Sequence, residues 1–302
     1  MTAPEVPGAG AGHTGPVGEP GWAGWFWDPS LYAGSAGHYV RGRVPYPREL
    51  VDALAAELAL DGTGRLLDVG CGPGSLTLPL APWFERATGL DADAGMLAEA
   101  ARQAGAAGIR NVDWVNLRAE DLPADLGPFR VVTLAQSFHW MDRALVARRL
   151  RGVLGSGGVL VHVHATTHEG VSDGQPLPFP RPPRREIAEL VRRFLGPRRR
   201  AGQGILPDLP VDEAGRGRVE AGIYRAAGFG GCTRIEVPGS VVSRSADEVV
   251  ASVFSLSSAA PHLFGDRISD FEAALRGLLA EASPDGRFSE RMREIAADIW
   301  RI

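Results

Sequence analysis

Lysine is absent from the 302-residue sequence, so every one of its 32 Lys/Arg positions is arginine. That absence excludes a catalytic Tyr-x-x-x-Lys pair. Cysteine is nearly absent: Cys71 and Cys232 are too few for a disulfide framework or a cysteine-based zinc site. No stretch approaches the roughly 18 apolar residues of a membrane span. No basic start followed by an apolar run opens the chain, so a signal peptide is not expected and the cytoplasm is the expected location. Excess positive charge is missing too. The net charge is −4, which argues against non-specific nucleic-acid or membrane partners. No internal repeat is evident. What remains, 44% hydrophobic and 23% charged residues, is a globular composition with enough chain for one large or two small domains.

Residues 1–24 are rich in Gly, Pro and Ala and read as a disordered tail. Trp22, near its end, and Trp25, Phe26 and Trp27, just after it, are expected to dock on the main domain or cover a cleft. After the lead-in His38–Pro47, the spacing of Leu50, Val51, Leu54 and Leu58 predicts a helix. The organising stretch comes next. Leu66, Leu67 and Val69 form a short apolar strand that ends in glycines at alternate positions, Gly70, Gly72 and Gly74, with Cys71 as a small residue inside the turn. Leu76, Leu78 and Leu80 start a helix. Strand, glycine turn and helix make the front half of a nucleotide-binding unit, because glycine allows a ligand close to backbone N–H groups. The third glycine follows the second by two residues, so the spacing is not the Gly-x-Gly-x-x-Gly of dinucleotide sites.

A second strand, Ala87–Asp91, ends in an acid 23 residues after Asp68. An acid there accepts hydrogen bonds from ribose hydroxyls. Asp93 is the N-cap candidate for the helix of Met96 and Leu97. Further strands are predicted at Val112–Val115, Phe129–Ala135, Val159–Val163 and Thr233–Pro238, with helices at 144–154, 219–227, 246–257 and 268–282. The last segment, 288–302, has helical spacing. His139, in Gln136-Ser137-Phe138-His139-Trp140, follows the fourth strand and is the candidate general base. His162 and His164 share one strand face, with His168 and Glu169 nearby. No carboxylate cluster of matching pattern accompanies them, so no metal is expected. Residues 170–218 turn Pro-, Arg- and Gly-rich around one helical pattern, Ile187 to Phe194. Arg181, Arg184, Arg185, Arg192, Arg193 and Arg198–Arg200 read as a solvated basic face, with contact to an anionic substrate as the alternative.

The phrase Asp68-x-Gly70-x-Gly72-x-Gly74, with Asp91 and the His139-Trp140 pair, resembles the class I S-adenosylmethionine-dependent methyltransferases of the bacterial small-molecule type. The likeness covers 39–165 well and 219–302 loosely. It implies an α/β fold: a Rossmann-like, doubly wound, seven-stranded sheet, mostly parallel, with an antiparallel last strand at 288–302 and a helical insertion after strand five. The implied cofactor is S-adenosyl-L-methionine. Asp68 would lie near its amino group and the glycines under its methionine and ribose. Ala92 and Met96 would flank the adenine, and Ala119 with Glu120 or Asp121 would read its edge. Tyr39 and Arg43 would fold over the ligand, with Arg43 on its carboxylate, and Gln136 and Ser137 would stand beside it. Phe138, Trp140, His164 and His168 are the substrate-side candidates. The implied organisation is a tail at 1–24, a cofactor-binding core with lid at 25–165, an insertion for substrate recognition at 166–218, and the C-terminal part of the core sheet and helices at 219–302. The expected function is methylation of O, N or C on a small-molecule acceptor, in a biosynthetic setting. A non-catalytic cofactor-binding protein and a macromolecule methyltransferase are the alternatives. No Asn/Asp-Pro-Pro-Tyr/Phe motif of amine methylation is present.

Overall fold

The computed structural model describes residues 28–172, 174–197, 200–201, 204–205 and 213–302, and only the backbone at 200–201, 204–205 and 213–218. The expected tail, the aromatics Trp22, Trp25, Phe26 and Trp27, and Arg198 and Arg199 lie outside the described residues. Seven strands form one sheet: β1 (Arg65–Val69), β2 (Arg86–Asp91), β3 (Val112–Asn116), β4 (Phe129–Ala135), β5 (Leu154–His164), β6 (Cys232–Val237) and, last in the chain, β9 (Ile295–Arg301). Their order is β3-β2-β1-β4-β5-β9-β6. β1 to β5 run parallel, and β9 is antiparallel to both its neighbours. The antiparallel last strand is therefore present, and the helical spacing of 288–302 is misleading. Buried on both faces, Ala296, Ala297 and Ile299 make an apolar run that periodicity alone does not separate from a helix.

Each strand of the sheet centre alternates between two cores. Leu66, Val131, Val161 and Ile299 face one side, against helix α2 (Arg48–Glu57) and the turn α3 (Thr77–Leu80). Leu67, Val132, Leu160 and Trp300 face the other, against α5 (Arg143–Val153) and α7 (Glu213–Ala226). α3 is a single turn followed by a short 3-10 segment, Ala81–Trp83. Pro79 and Pro82 lack the N–H donors that would carry a longer helix. α4 (Ala94–Ala107) is capped by Asp93, which accepts from the Met96 N–H at 3.0 Å, and closes on Gly108 at φ 68°. Asp142 caps α5 in the same way.

Two expectations, on the start of β5 and on Arg184, need correction. β5 begins at Leu154, so the Gly-Ser-Gly-Gly stretch lies within the strand and the helix before it ends at Val153. The segment 219–302 supplies β6 and β9 to the sheet and further elements outside it. Between β6 and β9 the chain leaves it as β7 (Val241–Ser245), α8 (Ala246–Phe254), α9 (Ile268–Ala282) and β8 (Arg287–Arg291), with β7 and β8 paired antiparallel. These elements bury Val250, Phe254, Phe271 and Phe288 against Ile187 and Leu190 of α6 (Arg184–Leu195), the helix of the insertion. The two excursions thus build one apolar cap outside the sheet. A solvated face for Arg184 is likewise wrong. Its guanidinium pairs with the fully buried Glu290 at 2.6 Å, and Arg244 reaches the same carboxylate at 3.1 Å. Arg185, Arg192 and Arg193 are exposed, as read.

The cap also holds the start of the described chain. Helix α1 (Ala36–Gly42) packs on α8. Adding a Cβ to Gly42 would bring it 2.2 Å from the Ser252 backbone, so only glycine permits this approach. Ser35 Oγ donates to the Phe254 carbonyl at 2.9 Å.

Candidate functional site

The sheet order reverses between β1 and β4, where an open α/β sheet leaves a crevice beyond its carboxyl strand ends. A cavity of about 870 Å³, including its open mouth, lies there. Its floor is the glycine turn. Gly70 (φ 66°) and Gly72 (φ 55°) hold left-handed backbone, and a Cβ on Gly70 would fall 2.4 Å from Ser137 Cβ. Gly70 and Cys71 donate their N–H groups to Leu90 O, and Gly72 donates to Asp91 Oδ2 at 2.8 Å.

Asp68 is buried at the end of β1, with Thr133 as its register partner on β4. Its two carboxylate oxygens accept from Thr133 Oγ1 at 2.7 Å and Thr77 Oγ1 at 2.6 Å. Burial raises its pKa, and the two hydroxyls work against that rise. Asp91 accepts from Gly72 N–H with one oxygen and from Asp93 N–H with the other. Burial pushes its carboxyl up to about 6, and the two backbone donors oppose the shift.

The cavity brings together most of the residues singled out in the sequence. Tyr39, Asp68, Gly70, Cys71, Gly72, Asp91, Ala92, Met96, Ala119, Glu120, Gln136, Ser137 and Trp140 line it. Glu120, rather than Asp121, faces inward: it accepts from the Asp142 N–H at 2.9 Å, while Asp121 is exposed. Ser137 Oγ donates to the Val69 carbonyl and ties β4 to β1 beneath the cavity. Gln136 stands at φ 59°, a strained conformation for a non-glycine residue, at the cavity wall.

Other expected residues stand outside the lining. Gly74 is closed off by Trp114, whose ring would be 3.0 Å from a Cβ there. Arg43 spends its donors on the cap, Nε to Ser255 Oγ at 2.8 Å and Nη2 to Ser255 O at 3.1 Å, and lies 4.6 Å over the Tyr39 ring. It is not among the residues that line the cavity, while the Tyr39 ring beneath it is. His168 touches Arg43 at 3.3 Å instead of the cavity. Phe138 is buried and stacks on Tyr224. His139 lies against Trp140, whose ring does reach the cavity. His164 is on β5, where it meets Asp298 at 3.1 Å.

Sequence reasoning missed Leu31, Tyr32 and Tyr46, which line the cavity from the segment before β1. Burial raises the pKa of both tyrosines. The position of Tyr46 beside the Tyr39 lead-in was the available signal. Leu117, Arg118 and Met141 also line the cavity and were not picked out.

Residues 66–158 match the family model described as a methyltransferase domain. An uncharacterized methyltransferase of Mycobacterium tuberculosis is 38% identical over 144 residues, 47% of this chain and 55% of that protein. The malonyl-[acyl-carrier protein] O-methyltransferase of Enterobacter lignolyticus is 35% identical over 114 residues, 37% of this chain and 43% of that protein. The chain thus spans about half the length of the curated relatives it matches. The crystal structure of the YcgJ protein from Bacillus subtilis aligns over 84% of this chain and 98% of that chain, with a TM-score of 0.48 and 17% identity. The sheet with its antiparallel last strand, and the glycine turn facing Asp91, are those of a Rossmann-like methyltransferase fold. Over residues 66–158 the chain is thus similar to methyltransferase domains. S-adenosylmethionine is the cofactor of that domain class.

Proposed function

We propose that this protein transfers a methyl group from S-adenosylmethionine to a small-molecule acceptor. One observation carries the reading: a cavity at the β1/β4 reversal lined both by the glycine turn and by Asp91, which share a hydrogen bond. The residues suit the ligand. Asp91 accepts from vicinal ribose hydroxyls, Ala92, Met96 and Leu117 flank the adenine, and Glu120 faces its amino edge. Asp68 lies toward the methionine amino group, and Gln136 and Ser137 border the methyl-bearing end. The bound cofactor supplies an electrophilic methyl group on a sulfonium. Leu31, Leu76, Trp140 and Met141 give that end an apolar lining, which excludes water and disfavours the positive sulfur. In-line positioning supplies most of such a reaction, and His139, against the lining residue Trp140 but not itself in the lining, is the candidate base where the acceptor carries a proton.

A small acceptor is supported by the tyrosines of the N-terminal segment, which share the cavity lining on a segment that Ser35 and Arg43 tie to the cap. Isothermal titration with S-adenosylmethionine, S-adenosylhomocysteine and NAD, on wild type and Asp91→Ala, tests the site. Binding of the first two, weakened in the variant, is expected. NAD binding without either would overturn the reading. Release of S-adenosylhomocysteine across an acceptor panel then separates turnover from binding alone.

A further inference from the structure

Beyond the cavity, the face of the sheet covered by α7 carries a cluster that the methyl-transfer reading does not use. His162 and His164 stand two apart on β5 and so share that face. Glu220, on α7, comes down on them from 56 residues further along the chain. Its Oε2 is 3.6 Å from His162 Nδ1 and 3.9 Å from His164 Nδ1, and one donor atom from each residue falls within 4.8 Å of the others. Asp298, the register partner of His162 on β9, accepts from His164 Nε2 at 3.1 Å, and its other oxygen accepts from Arg234 at 3.0 Å.

The chemistry of these donors decides what the cluster does. With the Nε2 proton directed at Asp298, His164 turns its Nδ1 lone pair toward the Glu220 carboxylate. The two donors face each other at 3.9 Å, as two ligands of one ion would. A carboxylate on the far ring nitrogen is also the usual orienting partner of a metal-bound imidazole. Ligands about 2.0–2.2 Å from a tetrahedral ion stand about 3.3–3.6 Å from one another, so 3.6 and 3.9 Å need to close by at most a few tenths of an ångström. The two imidazoles, within 4.8 Å, need to close by up to about 1.5 Å. His162 is buried, while His164 is about one-third exposed and leaves a side open to solvent. His162 Nδ1 also meets Tyr224 OH at 3.0 Å, a contact the ion would compete with.

The geometry points to a binding site for a divalent first-row transition ion of the zinc type, held by His162, His164 and Glu220, with Asp298 positioning His164. Two imidazoles and one carboxylate favour such an ion over Mg²⁺ or Ca²⁺, which take oxygen ligands. The ion joins α7, directly after the insertion, to β5 and leaves a coordination position open.

The test is titration of chelator-stripped full-length protein with ZnCl2, with Co²⁺ absorption as a readout of inner-sphere ligation. One Zn²⁺ per chain is expected. His164→Ala and Glu220→Gln should weaken binding about 100-fold, and Asp298→Asn about 10- to 100-fold. Cys232→Ser, which alters the exposed thiol, should bind as wild type. Far-ultraviolet circular dichroism confirms that each variant is folded. No Zn²⁺ binding by wild type, or equal binding by His164→Ala and Glu220→Gln, would overturn the site. Loss in Cys232→Ser would assign the ion to the thiol. S-adenosylmethionine titration of the same metal-free protein reads the methyl-transfer proposal separately.

Discussion

Asp91 Oδ2 accepts the backbone N–H of Gly72 at 2.8 Å. The carboxylate that ends β2 is thereby fixed against the glycine turn that ends β1. The bond aligns two cavity walls that come from segments 19 residues apart, before any ligand is bound. Asp91→Ala removes this bond and the ribose acceptor together. S-adenosylhomocysteine affinity should fall about 10- to 100-fold, the equivalent of roughly 1.5–3 kcal/mol for hydrogen bonds to a charged group. Isothermal titration measures it, and unchanged affinity would remove Asp91 from the site.

The same carboxyl makes stability depend on pH. Its folded pKa, about 6, lies above the ordinary 3.8. Between those values the folded state binds more protons than the unfolded one, so its contribution is present below the unfolded pKa and is lost as pH rises through about 6. At about 1.4 kcal/mol per unit the loss is on the order of 3 kcal/mol. Asp91→Asn stays neutral throughout, so its stability relative to wild type should increase from pH 4 to pH 7 in urea unfolding. A pH-independent difference would contradict the buried, raised carboxyl.

Glu290 gives the opposite sign. Burial raises its pKa, but the hydrogen bond and charge of Arg184, with Arg244, outweigh burial and hold the carboxyl below its usual range. Its contribution is present above the unfolded pKa and is lost as pH falls through the folded value. Glu290→Gln leaves two largely buried arginines without their carboxylate and should cost about 3–5 kcal/mol. Chemical denaturation at pH 7 checks this, and a change under 1 kcal/mol would mean the arginines find other partners.

Gly70 admits no side chain. A Cβ would stand 2.4 Å from Ser137 Cβ on a backbone at φ 66°. Gly70→Ala should destabilise by about 1–3 kcal/mol from overpacking alone and abolish cofactor binding, whereas Gly72→Ala, with open space at its Cβ, should lose less stability. Melting curves with and without S-adenosylhomocysteine compare the two, and equal losses would refute the steric account.

Arg43 connects α1 to the cap through Ser255 and holds Tyr39 beneath its guanidinium. Arg43→Ala should raise proteolytic cleavage within 36–46 and weaken S-adenosylmethionine binding about tenfold by loosening Tyr39. Cleavage at the wild-type rate would show that Ser35 and the α1–α8 packing suffice.

Much of the fold and half of the site were legible in local sequence, because both rest on short-range rules. A strand ending in glycines, an acid ending the next strand, and a capped helix after it each depend on residues a few positions apart. Tyr32 and Leu31 were not legible, since nothing local says that the chain before β1 folds back over the strand ends. The apolar run at 295–301 was ambiguous because a strand buried on both faces has no period of two.

The sequence by itself determined the glycine turn, the acids at the ends of β1 and β2, and the parallel strands between them, through backbone conformation and apolar periodicity. Only the tertiary structure decided which arginine is solvated and which is buried: Arg184 and Arg185 are neighbours in sequence, yet one meets Glu290 in the cap and the other faces water. It also decided that Arg43 serves the cap, and that Glu220 and Asp298 converge on His162 and His164. Charge partners separated by tens of residues are chosen by the packing of helices and sheet, where desolvation and distance set which pairings survive, and no local pattern encodes that choice.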